Sequence, residues 1–167
     1  MGIENILDEV VEILHEADMT CVPSASDETL LVLMRDEAGN KLSAEISVHE
    51  RISLLAVSAL YPLAVPAPRR EAIGEYVLRA NSYEIEGGFD FDPDEGQLAY
   101  KVTAPYGDGG LTLELLQRLL GTSLTILSRH VPALGLVIYA GMSPVAALDT
   151  ILRFSLEAVL GRANDDI

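Results

Sequence analysis

Three consecutive stretches in the first third of the chain distribute apolar residues as β-strands do. Leu30–Met34 is continuously apolar, Leu42–Val48 places apolar side chains at every second position, and Ile52–Tyr61 is apolar on both faces. Strict alternation is typical of a strand with one buried face, and a continuous apolar run is typical of a strand buried on both faces. The pattern predicts a three-stranded antiparallel meander over residues 28–62.

Helical spacing appears on both sides of this meander. Residues 3–17 carry apolar side chains on one stripe and acidic side chains opposite, which predicts an amphipathic helix. Three prolines within residues 62–68 end the meander, and Pro68 is a favourable first-turn residue for a second helix that stops near Asn81. A hairpin is expected next, from Phe89 across an acidic turn to a return strand at residues 98–104.

The C-terminal third is predicted to be helical. Leucines recur at helical spacing from about residue 112 to 130, after which Pro132 and Gly135 are expected to interrupt the helix. A short helix is expected at Leu136–Tyr139. Ser143 followed by proline suits the N-cap and first position of a last helix, expected to run to Leu160.

These elements predict one α+β domain with an antiparallel sheet of about five strands flanked by helices. Their order is helix, three strands, helix, two strands and C-terminal helices. The chain has 167 residues, a length that suits a single domain, which we assign to residues 1–161. Residues 162–167 are expected to form a frayed tail.

The charge balance narrows the classes of partner. The chain has 26 Asp and Glu against 11 Lys and Arg, which gives a formal net charge of −15. Proteins that bind nucleic acid or anionic lipid surfaces neutralise phosphates with basic residues, so we expect neither as a partner. The acidic N-terminus lacks the basic region of a signal peptide, which favours a cytoplasmic location.

No pattern in the sequence indicates catalysis, a metal ion or a cofactor. Cys21 has no second cysteine to pair with. The histidines at positions 15, 49 and 130 share no ligand spacing, so we expect these three histidines at surface or rim positions. The acidic run Asp90–Gly96 lacks the glycine and glutamate positions of a calcium-binding EF-hand loop and is interpreted as a hairpin turn.

Two of the predicted strands are apolar on both faces, and this leaves an excess of apolar surface. If the helices cover one face of the sheet, the other face would carry an apolar patch, which usually marks a protein partner or a second copy. Coverage by the C-terminal helices is the alternative. The candidate patch residues are Leu31, Leu33, Leu55 and Val57, although a shift in strand register would exchange them for their neighbours.

The order of several short strings resembles the YbjN-like family of bacterial sensory transduction regulators. The strings are LYPLAVPAPRREAIGEYVLRANSYEIEGGFDFDPDEGQLAYKVTAP at residues 60–105 and RHVPALGLVIYAGMSPVAAL at residues 129–148. The resemblance implies a fold similar to that of type III secretion chaperones, which are small, acidic, dimeric proteins that hold segments of a client protein. It carries over no catalytic residue. Residues 112–160 hold more helix than the single closing helix of such a chaperone.

The residues and the resemblance together predict a non-enzymatic regulatory or chaperone-like module. It would bind a protein partner or client through an apolar sheet face or a dimer groove, and it would itself form a homodimer. The alternative is a small-ligand sensor domain or an undescribed enzyme, for which Tyr100, Tyr106, Arg79 and the acidic turn are the candidate pocket residues.

Overall fold

A computed structural model describes residues 6–24, 28–35, 39, 41–107 and 110–153. Single 3₁₀ turns, Glu50–Ile52 and Ala67–Arg69, precede β4 and α2, and residues 144–153 are helical. In chain order the other elements are α1 (Ile6–Glu16), β1 (Thr20–Pro23), β2 (Thr29–Arg35), β3 (Lys41–His49), β4 (Leu54–Leu60), α2 (Arg70–Ala80), β5 (Gly88–Phe91), β6 (Leu98–Pro105) and α3 (Leu113–Ile138).

The strands form one six-stranded sheet in which every neighbouring pair is antiparallel. Their order is β1-β2-β3-β4-β6-β5, so the meander and the later hairpin join where β4 pairs with β6. The α+β class and the antiparallel sheet are therefore confirmed. The strand count is one higher than predicted, because the four-residue edge strand β1 is too short to show a periodic pattern.

The register of the sheet aligns the apolar positions of successive strands. Ile46 on β3 lies opposite Leu30 on β2 and Val57 on β4, and Val57 lies opposite Val102 on β6. All four side chains are buried. Because side chains alternate between the faces of a sheet, this register collects the buried apolar positions on one face.

Helices pack against that face and complete the core. Val10 and Leu14 of α1 are buried there, and α3 contributes a continuous stripe that includes Leu116, Leu127 and Leu134. The main contacts of α3 are with the central strands β4 and β6. Core strands and helices thus form two layers, as expected for an α+β domain.

The predicted break at Pro132 and Gly135 was wrong, because α3 continues through both residues to Ile138. A proline inside a helix removes one backbone hydrogen bond and crowds the preceding turn. The apolar stripe nevertheless continues past it, with Ala133 and Leu134 fully buried. Burial of this stripe outweighs the local cost of the proline, so tertiary packing decides the length of the helix.

The predicted start of the last helix is confirmed. The Ser143 hydroxyl accepts a hydrogen bond from the Ala146 amide at 3.3 Å, and helical residues begin at Pro144. Ala147 and Leu148 then join the core. The expected end of this helix at Leu160 and the expected tail at residues 162–167 lie outside the described residues.

Arg70 holds the β5–β6 hairpin against the rest of the fold. Its guanidinium donates to the Val65 carbonyl before α2 and to the carbonyls of Pro93, Asp94 and Glu95 in the hairpin turn. Gly96 packs so closely against Val65 and Arg70 that a side chain there would collide with the Val65 carbonyl. This clasp positions the acidic turn at one end of the sheet.

Candidate functional site

The two faces of the sheet differ in what lies on them. We call the face that packs against the helices the covered face and the opposite one the open face. The open face carries the alternate positions of each strand, and its side chains belong to no part of the core that the described helices form. Its members are Thr20, Val22, Thr29, Leu31, Leu33, Arg35, Lys41, Ser43, Glu45, Ser47, His49, Leu54, Ala56, Ser58, Leu60, Gly88, Asp90, Ala99, Lys101, Thr103 and Pro105.

The structure separates the four residues predicted to form an apolar patch. Leu31 and Leu33 lie on the open face, where Leu31 is half-buried and Leu33 is 46% exposed. Leu55 and Val57 lie on the covered face and are 0% exposed. The prediction that Leu55 and Val57 share a patch with Leu31 and Leu33 was therefore wrong, because it assigned the two faces of β4 one residue out of register.

The β4 residues on the open face are their neighbours Leu54, which is half-buried, and Ala56, which is buried. Because β4 is apolar at almost every position, its sequence contains no alternation from which the register could be deduced. The pairing of Leu55 with Val48 on β3 decides the register instead.

One half of the open face is raised and apolar. Val22 on β1 lies directly opposite Leu31 on β2, and Leu33 is the next open-face position on β2. Val22 is 40% exposed. We call these three residues the ridge, because large apolar side chains stand here on the edge strand β1 and its neighbour β2.

The other half of the open face is recessed. A hollow of about 320 Å³ lies over β4, β6 and β5, and its lining includes the small side chains Ser58 and Ala99 together with Leu60. Glu45 and Asp90 line it, and Lys101 forms an ion pair with Asp90 at 2.6 Å between Nζ and Oδ2. The open face therefore has a ridge on its β1–β2 side and a hollow on its β5–β6 side.

The β5 edge of the sheet is closed to a further strand by a side chain. Asn81, which caps the end of α2, accepts a hydrogen bond from the Phe89 amide at 2.7 Å and donates one to the Phe89 carbonyl at 3.0 Å. These are the two groups that a pairing strand would use. A side chain thus occupies part of the outer edge of β5, a device that blunts edge-to-edge association.

The β1 edge is blunted in a different way. Ser24 donates its amide hydrogen to Thr29 at 2.9 Å, and hydrogen-bonded pairs alternate along an antiparallel ladder, so Cys21 and Pro23 direct their backbone groups outward. Pro23 has no amide hydrogen to donate. A partner therefore reaches this sheet more readily across its open face than along either edge.

The candidate residues of the alternative, ligand-binding interpretation do not converge. Tyr100 is buried and donates its hydroxyl to the Glu86 carbonyl at 2.6 Å, and burial raises its pKa to about 12. Arg79 forms an exposed ion pair with Glu75 on α2. Tyr106 is buried just after β6, where its hydroxyl has no hydrogen-bond partner among the residues that the structure describes and burial raises its pKa.

The acidic turn is stabilised within itself rather than around a ligand. Asp92 Oδ1 accepts hydrogen bonds from the amides of Asp94 at 2.8 Å and Glu95 at 3.1 Å. This is the side-chain turn that aspartate forms in hairpins. Within the described ranges no group of three or more His, Cys, Asp or Glu side chains could hold a metal ion.

A buried polar network on the helical side was missed by the sequence analysis. The His130 side chain on α3 is 1% exposed, so its expected rim position was wrong. Its Nδ1 lies 2.6 Å from the Tyr76 hydroxyl and its Nε2 lies 2.9 Å from Glu84 Oε1. Arg129 donates to the same Glu84 oxygen at 2.6 Å. The only available signal was the helical spacing of His130 with Leu127 and Leu134.

Electrostatics favour an ionised carboxylate in this network. Burial alone would raise the pKa of Glu84, but hydrogen bonds from His130 and Arg129 outweigh burial and lower it. Burial raises the pKa of Tyr76, so its phenol stays protonated and can donate to His130. Beside the network lies a cavity of about 440 Å³ with Ile126 and Leu152 in its walls.

The search for membrane-spanning segments was limited to the described residues. No helix there is both long and apolar enough to cross a bilayer. The α3 helix is long enough, but charged and polar side chains recur along its exposed side.

Comparisons with known proteins agree with this architecture. The crystal structure of YbjN from E. coli, described as a putative transcription regulator, superposes with a TM-score of 0.53 at 16% sequence identity. The match covers 73% of this chain and 85% of that one, and at this identity it shows the fold alone. No curated protein matches the chain. Residues 7–136 match the model of the YbjN family, described as "Putative bacterial sensory transduction regulator". The chain therefore belongs to the YbjN family.

Proposed function

We propose that this protein is a non-enzymatic, chaperone-like regulatory module that binds a protein partner through the open face of its sheet. The observation that carries the proposal is the apolar ridge beside a hollow on a face outside the described core. Leu33 alone leaves 46% of its surface in water. Apolar surface grouped in this way is typical of protein contacts.

The chemistry of the face suits recognition more than reaction. Its polar groups are hydroxyls, one histidine and a few charges, of which Lys101 and Asp90 form an ion pair and Glu45 accepts a hydrogen bond from the Ser24 hydroxyl at 3.2 Å. The description of the family as a regulator supports a role without catalysis. The net charge of −15 supports a protein partner over nucleic acid and a cytoplasmic setting over an anionic membrane surface.

Because both edges of the sheet are blunted, a partner is expected to bind to the open face. Asn81 occupies backbone groups of β5, and Pro23 removes a donor from β1. A client segment would therefore contribute side chains to the open face rather than a seventh strand. Affinity would come from burying the ridge, and the charges around the hollow would select the register.

The test is co-purification of partners from the native cell with a tagged chain. Leu33→Asp should lose a specific co-purified protein, identified and quantified by mass spectrometry, because a charge on the ridge opposes its burial. Leu78→Asp is the matched control, since Leu78 is 76% exposed on α2. Equal recovery of every partner by both variants, at equal thermal stability, would refute the proposed site.

A small-ligand sensor is the second candidate, and one observation favours it. The cavity beside Glu84 and Arg129 has apolar walls and a volume of about 440 Å³, within the range of small-molecule sites. A thermal-shift screen with a panel of small metabolites tests it. A shift that Arg129→Ala abolishes would support a sensor, and a flat response across the panel would count against it.

A further inference from the structure

The cavity on the helical side combines apolar walls with one pair of opposite charges. Its volume of about 440 Å³ suits a small organic molecule. Glu84, Arg129 and His130 line it from the loop after α2 and from α3. The apolar part of its lining comes from that loop, from α3 and from the last helical segment, and consists of Tyr83, Ile85, Ile126, Leu148, Ile151 and Leu152. A molecule in this cavity would contact these apolar side chains and the ion pair together.

The Glu84 carboxylate has an acceptor oxygen to spare. Its side chain is only 10% exposed, and both of its donors bind the same oxygen, Oε1, at 2.6 Å from Arg129 and 2.9 Å from His130. No described residue donates a hydrogen bond to Oε2. This oxygen is also not sealed off, because among the described residues the Tyr106 hydroxyl is the only fully buried side-chain group without a partner. The cavity therefore favours a ligand with an N–H donor, and an ammonium group makes the strongest bond to a carboxylate.

Arg129 offers donors beside that acceptor. A guanidinium has five N–H groups, and the contact with Glu84 engages only the terminal nitrogen Nη2. The Arg129 side chain is 45% exposed and lines the cavity, so its other N–H groups remain within reach of a ligand there. Guanidinium groups bind carboxylates through two parallel hydrogen bonds. A ligand carboxylate is therefore the matching partner for Arg129.

His130 contributes no charge to the cavity. The Tyr76 hydroxyl donates to its Nδ1, so the ring proton lies on Nε2 and is donated to Glu84. One carboxylate and one guanidinium thus balance each other at this end of the cavity. A ligand with a single charge would bring an uncompensated charge into apolar surroundings, whereas a zwitterion brings none. The Glu86 carboxylate lies at the exposed rim, where water screens it.

We propose that this cavity binds the zwitterion of an apolar α-amino acid. Its ammonium group would donate to Glu84 Oε2, its carboxylate would accept from Arg129, and its side chain would contact the apolar walls. The two charged groups of an α-amino acid are attached to one carbon, so they suit an ion pair whose charged atoms lie 2.6 Å apart. Four charges of alternating sign would then form a ring. This inference rests on the small-ligand candidate above and is independent of the open face.

Isothermal titration calorimetry of the full chain with free leucine is the direct test. Leucine should bind with one-to-one stoichiometry. Asparagine has a similar shape and the same charges, and it should bind at least about tenfold more weakly, because apolar walls cannot satisfy its side-chain amide. No binding of leucine, isoleucine, methionine or phenylalanine overturns the inference, and so does equal affinity for leucine and asparagine.

Two analogues of leucine test the recognition of each charge. Isopentylamine lacks the carboxylate, and isocaproate lacks the ammonium group. Each should bind at least about tenfold more weakly than leucine, because a site built for a polar group discriminates strongly against a ligand without it. An analogue that binds as tightly as leucine shows that the site does not read a zwitterion and overturns the inference.

Substitutions locate the site. Arg129→Ala should remove the preference for leucine over isopentylamine, since the carboxylate then has no partner. Ile126→Trp should abolish leucine binding by filling the cavity while leaving both charges in place. Arg118→Ala is the matched control, because Arg118 is exposed elsewhere on α3, and it should bind leucine like the wild type. Circular dichroism confirms that each variant is folded. Unchanged leucine binding in Ile126→Trp would place the site elsewhere and overturn the inference.

The inference and the candidate on which it rests fail in different ways. A metabolite that gives a thermal shift abolished by Arg129→Ala, in a chain that binds no apolar amino acid, would keep the ligand site and refute the amino-acid assignment. A flat response to the whole panel, amino acids included, would refute both.

Discussion

The two faces of the sheet are formed by the same strands, but the described helices pack against only one of them. On β4, Leu55, Val57 and Ala59 are 0% exposed beneath the helices, while Leu54 and Ser58 alternate with them on the open face. Residues that are neighbours in the chain thus have different roles, since one lies in the core and the next lies on the open face. A single-residue shift in register would exchange the two sets, so the pairing of the strands decides which residues stabilise the fold and which remain for a partner.

The largest expected effect is on the covered face. Leu55→Asp would place an unpaired charge in the core and should destabilise the protein by more than about 4 kcal/mol, a large part of the roughly 5–15 kcal/mol that stabilises an ordinary domain. Circular dichroism and chemical denaturation measure this loss. A loss below about 1 kcal/mol would show that the faces are assigned the wrong way round.

The same substitution on the open face sharpens the contrast. Leu33→Asp should change the free energy of unfolding by less than about 1 kcal/mol, because Leu33 is already 46% exposed. Denaturation curves of the two variants, measured side by side, separate the faces by stability alone. Similar destabilisation in both would contradict an open face.

The alternation of polar and apolar residues on β3 made the buried face of that strand predictable from the sequence. Polar side chains at every second position of β3 identify its core residues without a structure, and the structure buries Ala44, Ile46 and Val48 as expected. Strand β4 has a single polar position, Ser58, which is too little to show alternation, so its register and the membership of Leu55 and Val57 were not deduced. Strand β2 is also continuously apolar, so its register was equally open, and the positions chosen there, Leu31 and Leu33, lie on the open face.

Long-range partners made the rest unpredictable. Nothing near Asn81 in the sequence indicates that it will cap the edge of β5, eight residues further on. The network of Tyr76, Glu84 and His130 joins positions that are up to 54 residues apart. Pro132 shows the opposite case, in which a strong local signal is overruled by packing on both sides of it.

The second largest effect concerns the polar network that ties the helices of the covered side together. Glu84→Gln removes the charge that Arg129 and His130 share and should cost about 2 kcal/mol at neutral pH. The pKa of Glu84 is lowered in the fold, so its stabilisation is present at neutral pH and is lost as pH falls through that lowered value. Denaturation from pH 7 to pH 3 should therefore show a smaller acid-induced loss in the variant.

Glu86→Gln provides the control for this measurement. Glu86 lies in the same loop with an exposed side chain, so its substitution should leave both stability and its pH dependence close to the wild type. Equal pH profiles for wild type and Glu84→Gln would exclude Glu84 as a source of acid sensitivity. Recovery of co-purified partners should be the same in both variants, because the network belongs to the covered side.

A smaller effect is expected at the β5 edge, where the two faces meet. Asn81→Ala removes two hydrogen bonds to the Phe89 backbone and should cost about 1–2 kcal/mol. It also frees those groups for another strand, so aggregation should increase on gentle heating, as light scattering would show. Ser82→Ala loses only a local bond to Arg79 and should not aggregate. Aggregation by both variants alike would mean that the edge is not protected by Asn81.

The smallest effect lies at the start of the last helical segment, whose Leu148 packs into the covered side. Ser143→Ala removes the oxygen that accepts from the Ala146 amide and should lower stability by about 1 kcal/mol. Ser143→Asp keeps an acceptor at this position and should remain close to the wild type. Because the open face takes no part in this cap, recovery of co-purified partners should be unaffected in both variants when folding is complete. Partner recovery lowered by Ser143→Ala but not by Ser143→Asp would show that the helices of the covered side influence the open face, and the two faces would then no longer be independent.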